Sequence, residues 1–121
     1  MTVNPKLVFN PPPGDGPFEE ARFDWLDAVA HELNIEHTRW SVISPDVNDF
    51  NIVPFPMAHA VFYGGGAWGK PQLKTFSHPL RWGEIWKVCD ELVGKGGDLD
   101  HVFIETVECD SEDTITFFCG S

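Results

Sequence analysis

A carboxylate set among apolar side chains is an arrangement that raises an acid's pKa and suits it to proton transfer. Glu105 is the acid of this sequence that fits: it lies two residues from Phe103 and two from Val107 in the run His101 to Cys109. On a strand these three share a face, and Phe118 of the following run joins them. His59, which shares a strand face with Val61 and Tyr63, is the candidate partner. Glu105 and His59 are therefore the catalytic pair of an enzyme reading, a small cyclase or isomerase with an aromatic pocket on an open sheet face. The blander expectation for Glu105 is a cross-strand cation or a place in a dimer interface.

Asp98, Asp100 and His101 gather two carboxylates and an imidazole in the stretch DLDH, donor types that hold divalent cations. Glu105 stands four residues further up a strand, roughly 13 Å away by strand rise. It cannot readily complete the set, and an acidic turn without metal is expected. The five histidines form no H-x-x-x-H or H-E-x-x-H pattern.

Gly64, Gly69 and Lys70 match the spacing of a phosphate-cradling loop after a strand, yet Pro71 replaces the magnesium-binding hydroxyl and no helix follows. A glycine turn is expected instead, with Trp68 as an exposed contact residue. The three cysteines form no C-x-x-C pair, and no serine or cysteine has a nucleophile's setting. No cofactor is implied.

The elements that must position these groups follow from spacing. Lys6 to Asn10 reads as a short strand stopped by Pro11, Pro12 and Pro13. Phe18, Ala21, Trp25, Leu26, Val29 and Leu33 recur at helical spacing, ending near Asn34, with Arg22 among acids on the solvent face. His37 to Ile43 alternates as a strand. Ser44 to Pro56 is a long loop whose apolar members mark it as a cover or a lid. Ala58 to Tyr63 is a strand.

A second helix is capped by Ser77, carries Pro79 in its first turn, and ends at Gly94; its stripe is Trp82, Ile85, Trp86, Cys89, Leu92 and Val93. His101 to Cys109 and Thr114 to Cys119 form a hairpin. Pairing Cys109 with Thr114 places Val102, Ile104, Ile115, Phe117 and Cys119 in the core and Phe103, Glu105, Val107, Thr116 and Phe118 outside.

The order β-α-β-β-α-β-β predicts an α+β fold, a ferredoxin-like βαββαβ arrangement with one additional C-terminal strand. Both helices then cover one face of an antiparallel sheet, and the other face stays open. At 121 residues one domain is expected, spanning residues 1–121.

Charge favours binding over catalysis. The net charge is -11, and residues 82–121 supply -8 of it through ten acids and two lysines. Such a chain repels nucleic-acid phosphate and anionic lipid, so neither direct nucleic-acid binding nor a membrane surface is expected. A basic protein is the favoured partner. The leading reading is a non-catalytic acidic binding or inhibitory module, of the immunity-protein or nucleic-acid-mimic type. Its contact residues are Phe103, Glu105, Val107 and Phe118 with the acidic Glu108, Asp110, Glu112 and Asp113. A structural subunit that forms a homodimer through the open face is the third reading. No apolar run reaches the roughly 18 residues of a membrane span and no signal-peptide pattern is present, so a cytoplasmic protein is expected.

Overall fold

The computed structural model describes residues 3–10, 18–42, 47–65, 69–97 and 99–120. Two helices, α1 (Phe18–Glu32) and α2 (Trp82–Gly96), accompany five strands: β1 (Arg39–Trp40), β2 (Ala60–Tyr63), β3 (Gln72–Thr75), β4 (Phe103–Cys109) and β5 (Thr114–Gly120). The strands form one mixed sheet in the order β1-β4-β5-β2-β3. The β4–β5 and β2–β3 hairpins are antiparallel, whereas β5 runs parallel to β2 and β1 parallel to β4. The fold is thus α+β, but the expected antiparallel, ferredoxin-like sheet is corrected to a mixed one.

Two local differences accompany this correction. The expected first strand is a 3-10 turn, Pro5–Leu7, followed by a single bridge from Val8 to Asp49. Pro5 favours the turn, and the Asn4 side chain accepts the Lys6 N–H. At the opposite edge, Gln72–Thr75 pairs with all of β2. Only four residues long and largely exposed, β3 shows too little alternation to register as a strand.

The helices are fixed by their ends. Asn34, at φ 57°, closes α1 by left-handed backbone, and its carbonyl accepts the Lys87 ammonium at 2.6 Å. Helix α2 starts later than the Ser77 and Pro79 signals imply. Its first free N–H groups, on Trp82 and Gly83, are taken by the carbonyls of Ile52 and Phe50, and Glu84 caps the Arg81 N–H. At its other end the helix passes Gly94 and stops at Gly97.

The described part of the long loop is anchored in the core by Val47 and Phe50, while Ile52 and Val53 stay exposed. Phe50 is fully buried and stands 5.1 to 5.5 Å from the rings of Trp25, Trp40 and Trp86. Arg22 fixes the same segment from beneath. The expected solvent-facing arginine is only 2% exposed: its guanidinium donates to the carbonyls of Val42 and Val47 and to Asn48 Oδ1. It also lies 5.7 and 5.5 Å from the Phe9 and Trp25 ring centres. Three oriented acceptors and two ring faces replace the water a buried cation would lose.

Asp90 joins α2 to the segment entering β1. Its buried carboxylate accepts the N–H groups of Glu36, His37 and Thr38 and the Thr38 hydroxyl, all within 2.9 Å. Burial pushes the Asp90 pKa up, but these four hydrogen bonds outweigh it and hold the acid below its ordinary value. Trp86 Nε1 completes the cluster by donating to the same hydroxyl.

Candidate functional site

The outer sheet face is shaped by one irregularity. Ile104 pairs with Cys119, but Thr106 pairs with Phe118, leaving Glu105 as the extra residue of a β-bulge. Beyond the bulge the register moves by one from that expected: Val107 opposes Phe117 and Cys109 opposes Ile115. Because side chains alternate, this turns Val107 inward, where it packs against the core beside Cys109. Val107 is therefore not a surface contact, and Thr106 and Glu108 take the outward places.

Phe103, Glu105, Thr116 and Phe118 remain on the outer face as expected. Phe118 is 60% exposed, and Phe103, Phe62 and Leu73 are exposed with it. Phe62 and Leu73 belong to this face because Leu73 pairs with Phe62, and Phe62 pairs with Thr116. Val61 and Tyr63, expected on the face of His59 and Glu105, point inward instead, which turns Phe62 outward. Leu73 lies on the strand that the sequence conceals.

The Glu105 carboxylate extends across the sheet over the Cα of Gly120, so close that a Cβ there would stand 2.6 Å from Oε2. On the opposite side of β4, Glu105 is among the residues that line a cleft of about 350 Å³ where α1 meets the sheet edge. Phe23 and Leu26 of α1, Trp40 of β1 and Phe103 form its apolar walls, and Asp27 and Arg39 lie at its rim as an ion pair, Nε to Oδ1 3.8 Å. The cleft is open to solvent along Phe23 and Phe103, which are exposed.

Glu105 and His59 are not brought together. His59 precedes Ala60, which pairs with Thr114, whereas Glu105 lies beside Gly120. Six residues of β5 separate those points, roughly 20 Å by strand rise. The loop in turn borders another hollow, lined by Phe50, Asn51 and Arg81, that includes neither Glu105 nor His59.

The acidic turn after Glu108 is exposed at Asp110, Glu112 and Asp113. Asp110 has a structural task as well: its Oδ1 accepts the N–H groups of Glu112 and Thr114 at 2.9 and 3.0 Å. Asp113 takes a positive φ of 57° to close the turn. Glu112 and Asp113 are left facing solvent.

Asp98 and Trp68 lie outside the described residues. Asp100 is exposed and His101 half-buried, and among the described residues no group of three or more His, Cys, Asp or Glu side chains is placed to hold a metal ion. The phosphate-loop spacing joins the antiparallel β2 and β3, so the loop feeds a strand and not a helix N-terminus. Cys89 and Cys119 are buried, and Cys109 is half-buried; all three are free thiols. Burial, with Glu105 as a nearby negative charge, pushes the Cys119 thiol up to about 12. Such a thiol is not a nucleophile near neutrality.

No helix among the described residues is long and apolar enough to cross a membrane. No protein-family model, curated protein or solved structure matches the chain.

Proposed function

We propose that the chain is a non-catalytic binding module that docks its outer sheet face and acidic hairpin turn on a basic protein surface. The observation that carries this reading is the composition of that face. Four exposed apolar side chains, Phe62, Leu73, Phe103 and Phe118, lie in register beside Glu105 and Glu108. Apolar anchors supply binding energy, and surrounding charge guides encounter and selects the sign of the partner. The overall charge of -11 favours the same class of partner.

Inhibition of the partner, in the manner of an immunity protein or a nucleic-acid mimic, is the consequence expected where the basic surface is itself a functional site. The test is a titration of the protein with a panel of strongly basic proteins at rising salt, repeated with Phe118→Ala and Glu108→Lys. Salt-sensitive binding that both substitutions weaken supports the reading. Binding indifferent to salt and to both residues removes it, as does a stable homodimer in sedimentation whose interface buries Phe103 and Phe118.

A further inference from the structure

We propose that the hollow at the start of α2 is a binding site for a small organic monocarboxylate with an apolar body, its carboxylate held by the Arg81 guanidinium. None of the residues lining it belongs to the outer sheet face, so the site stands apart from the protein-binding reading.

The hollow, of about 780 Å³, lies where the N-terminal segment, the end of α1, the loop before β2 and the turn into α2 meet. Leu7, Leu33, Val53 and Pro79 give it apolar walls. The polar groups at its rim are bonded among themselves: the Asn4 N–H donates to Asn51 Oδ1 at 2.9 Å, Asn51 Nδ2 donates to the Asn4 carbonyl at 3.0 Å, and His78 Nδ1 lies 3.1 Å from the Pro79 carbonyl. Arg81 is the exception. Among the described residues its guanidinium makes no hydrogen bond or ion pair, whereas its backbone N–H is taken by Glu84 Oε1 at 3.0 Å.

No other cation of the chain is placed in this way. Six of the other seven lysine and arginine side chains are engaged: Lys6 with Glu32, Arg22 with the loop, Arg39 with Asp27, Lys74 and Lys95 with Glu91, and Lys87 with the end of α1. The seventh, Lys70, is exposed, but Arg81 is half-buried. A guanidinium partly withdrawn from water beside apolar walls gains most from an incoming anion, whose charge-assisted hydrogen bonds replace the hydration it has lost.

A carboxylate fits better than a phosphate on two grounds. A single planar guanidinium matches a single carboxylate through two parallel N–H bonds, and the hollow brings no second cation to neutralise a dianion. Glu84 also lines the hollow, and its negative charge, in a chain of net charge -11, repels a dianion more than a monoanion. The apolar walls select the rest of the ligand, because hydrocarbon set against them leaves water.

The test titrates phenylbutyrate into the isotope-labelled full chain, with phenylbutyramide as its neutral isostere, phenylbutyl phosphate as the dianion and acetate as the carboxylate without an apolar body. Amide shifts centred on Asn51, Val53, Arg81 and Gly83 are expected with phenylbutyrate. The neutral amide and Arg81→Gln should each weaken binding about tenfold, as loss of a charge-assisted hydrogen bond implies. Acetate and the phosphate should also bind more weakly than phenylbutyrate, and Phe118→Ala, on the outer face, should leave its binding unchanged. A native amide spectrum of Arg81→Gln separates loss of the site from loss of the fold, and the comparison of probes on the parent chain needs no variant. Absence of shifts at millimolar phenylbutyrate, shifts that map elsewhere, equal binding of the neutral amide or equal binding by Arg81→Gln overturns the site. Tighter binding of the phosphate overturns the assignment to a carboxylate, and equal binding of acetate overturns the apolar body.

Discussion

Glu105 and Gly120 form a matched pair: the carboxylate of one occupies the space that a Cβ on the other would need. Gly120→Ala therefore moves the Glu105 side chain without touching its charge. The expected result is a folded protein, destabilised by about 1 kcal/mol, in which Glu105 no longer projects across the sheet. Thermal melting and the position of Glu105 in a variant structure check this. An unchanged carboxylate position would show that the glycine does not set it.

Phe118 is exposed, whereas Phe50 is enclosed by three rings, so truncating them separates surface function from core stability. Phe50→Ala is expected to cost about 3–5 kcal/mol, the range for a buried aromatic. Phe118→Ala should stay within about 0.5 kcal/mol of the parent. Denaturant titration of both variants decides the point, and a small cost at Phe50 would show that its ring does not anchor the loop.

Asp90 links stability to acid. Its folded pKa lies below the ordinary value, so the folded state binds a proton less readily than the unfolded chain. Its contribution is present above the unfolded carboxylate pKa and is lost as pH falls through the lower folded value. Asp90→Ala leaves the N–H groups of Glu36, His37 and Thr38 and the buried Thr38 hydroxyl without their acceptor, and about 3 kcal/mol is expected to be lost near neutrality. Stability curves of parent and variant should converge in strong acid; parallel curves would show that Asp90 does not titrate with folding.

The buried thiols act at the opposite end of the pH range. With Cys119 raised from 9.0 to about 12 and Cys89 also raised, folding disfavours the thiolate. Stability from this source is intact below the unfolded thiol pKa and declines as pH rises through it toward about 12. Iodoacetamide labelling of the native protein near neutrality should reach Cys109 before Cys89 or Cys119. Rapid labelling of Cys119 in folded protein would contradict its burial.

Arg22 offers a stability test that charge alone does not predict. Arg22→Met keeps an apolar stem between Phe9 and Trp25 but removes the donors to Val42, Val47 and Asn48. A loss of about 2–4 kcal/mol is expected from the freed carbonyls. Hydrogen exchange at Phe9 and Phe50 should rise together, because their N–H groups donate to the carbonyls of Asn48 and Leu7 and tie the loop to the N-terminal segment. Unaltered exchange would detach Arg22 from the loop.

By itself the sequence determined what local periodicity and composition can carry. The stripe from Ile85 to Val93 defined the buried face of α2, alternation placed Ile104, Ile115, Phe117 and Cys119 inward, and the acid count marked the C-terminal third as the charged one. Tertiary structure decided the rest, because the deciding contacts are distant in sequence. Whether Val107 faces in or out depends on a bulge that pairing alone reveals, since one inserted residue reverses every side chain beyond it. The buried place of Arg22 depends on carbonyls some twenty residues away. Parallel pairing of β5 with β2 fixes Glu105 far from His59, and the meeting of α1 with the sheet edge gives Glu105 its cleft: no spacing within either segment encodes these relations.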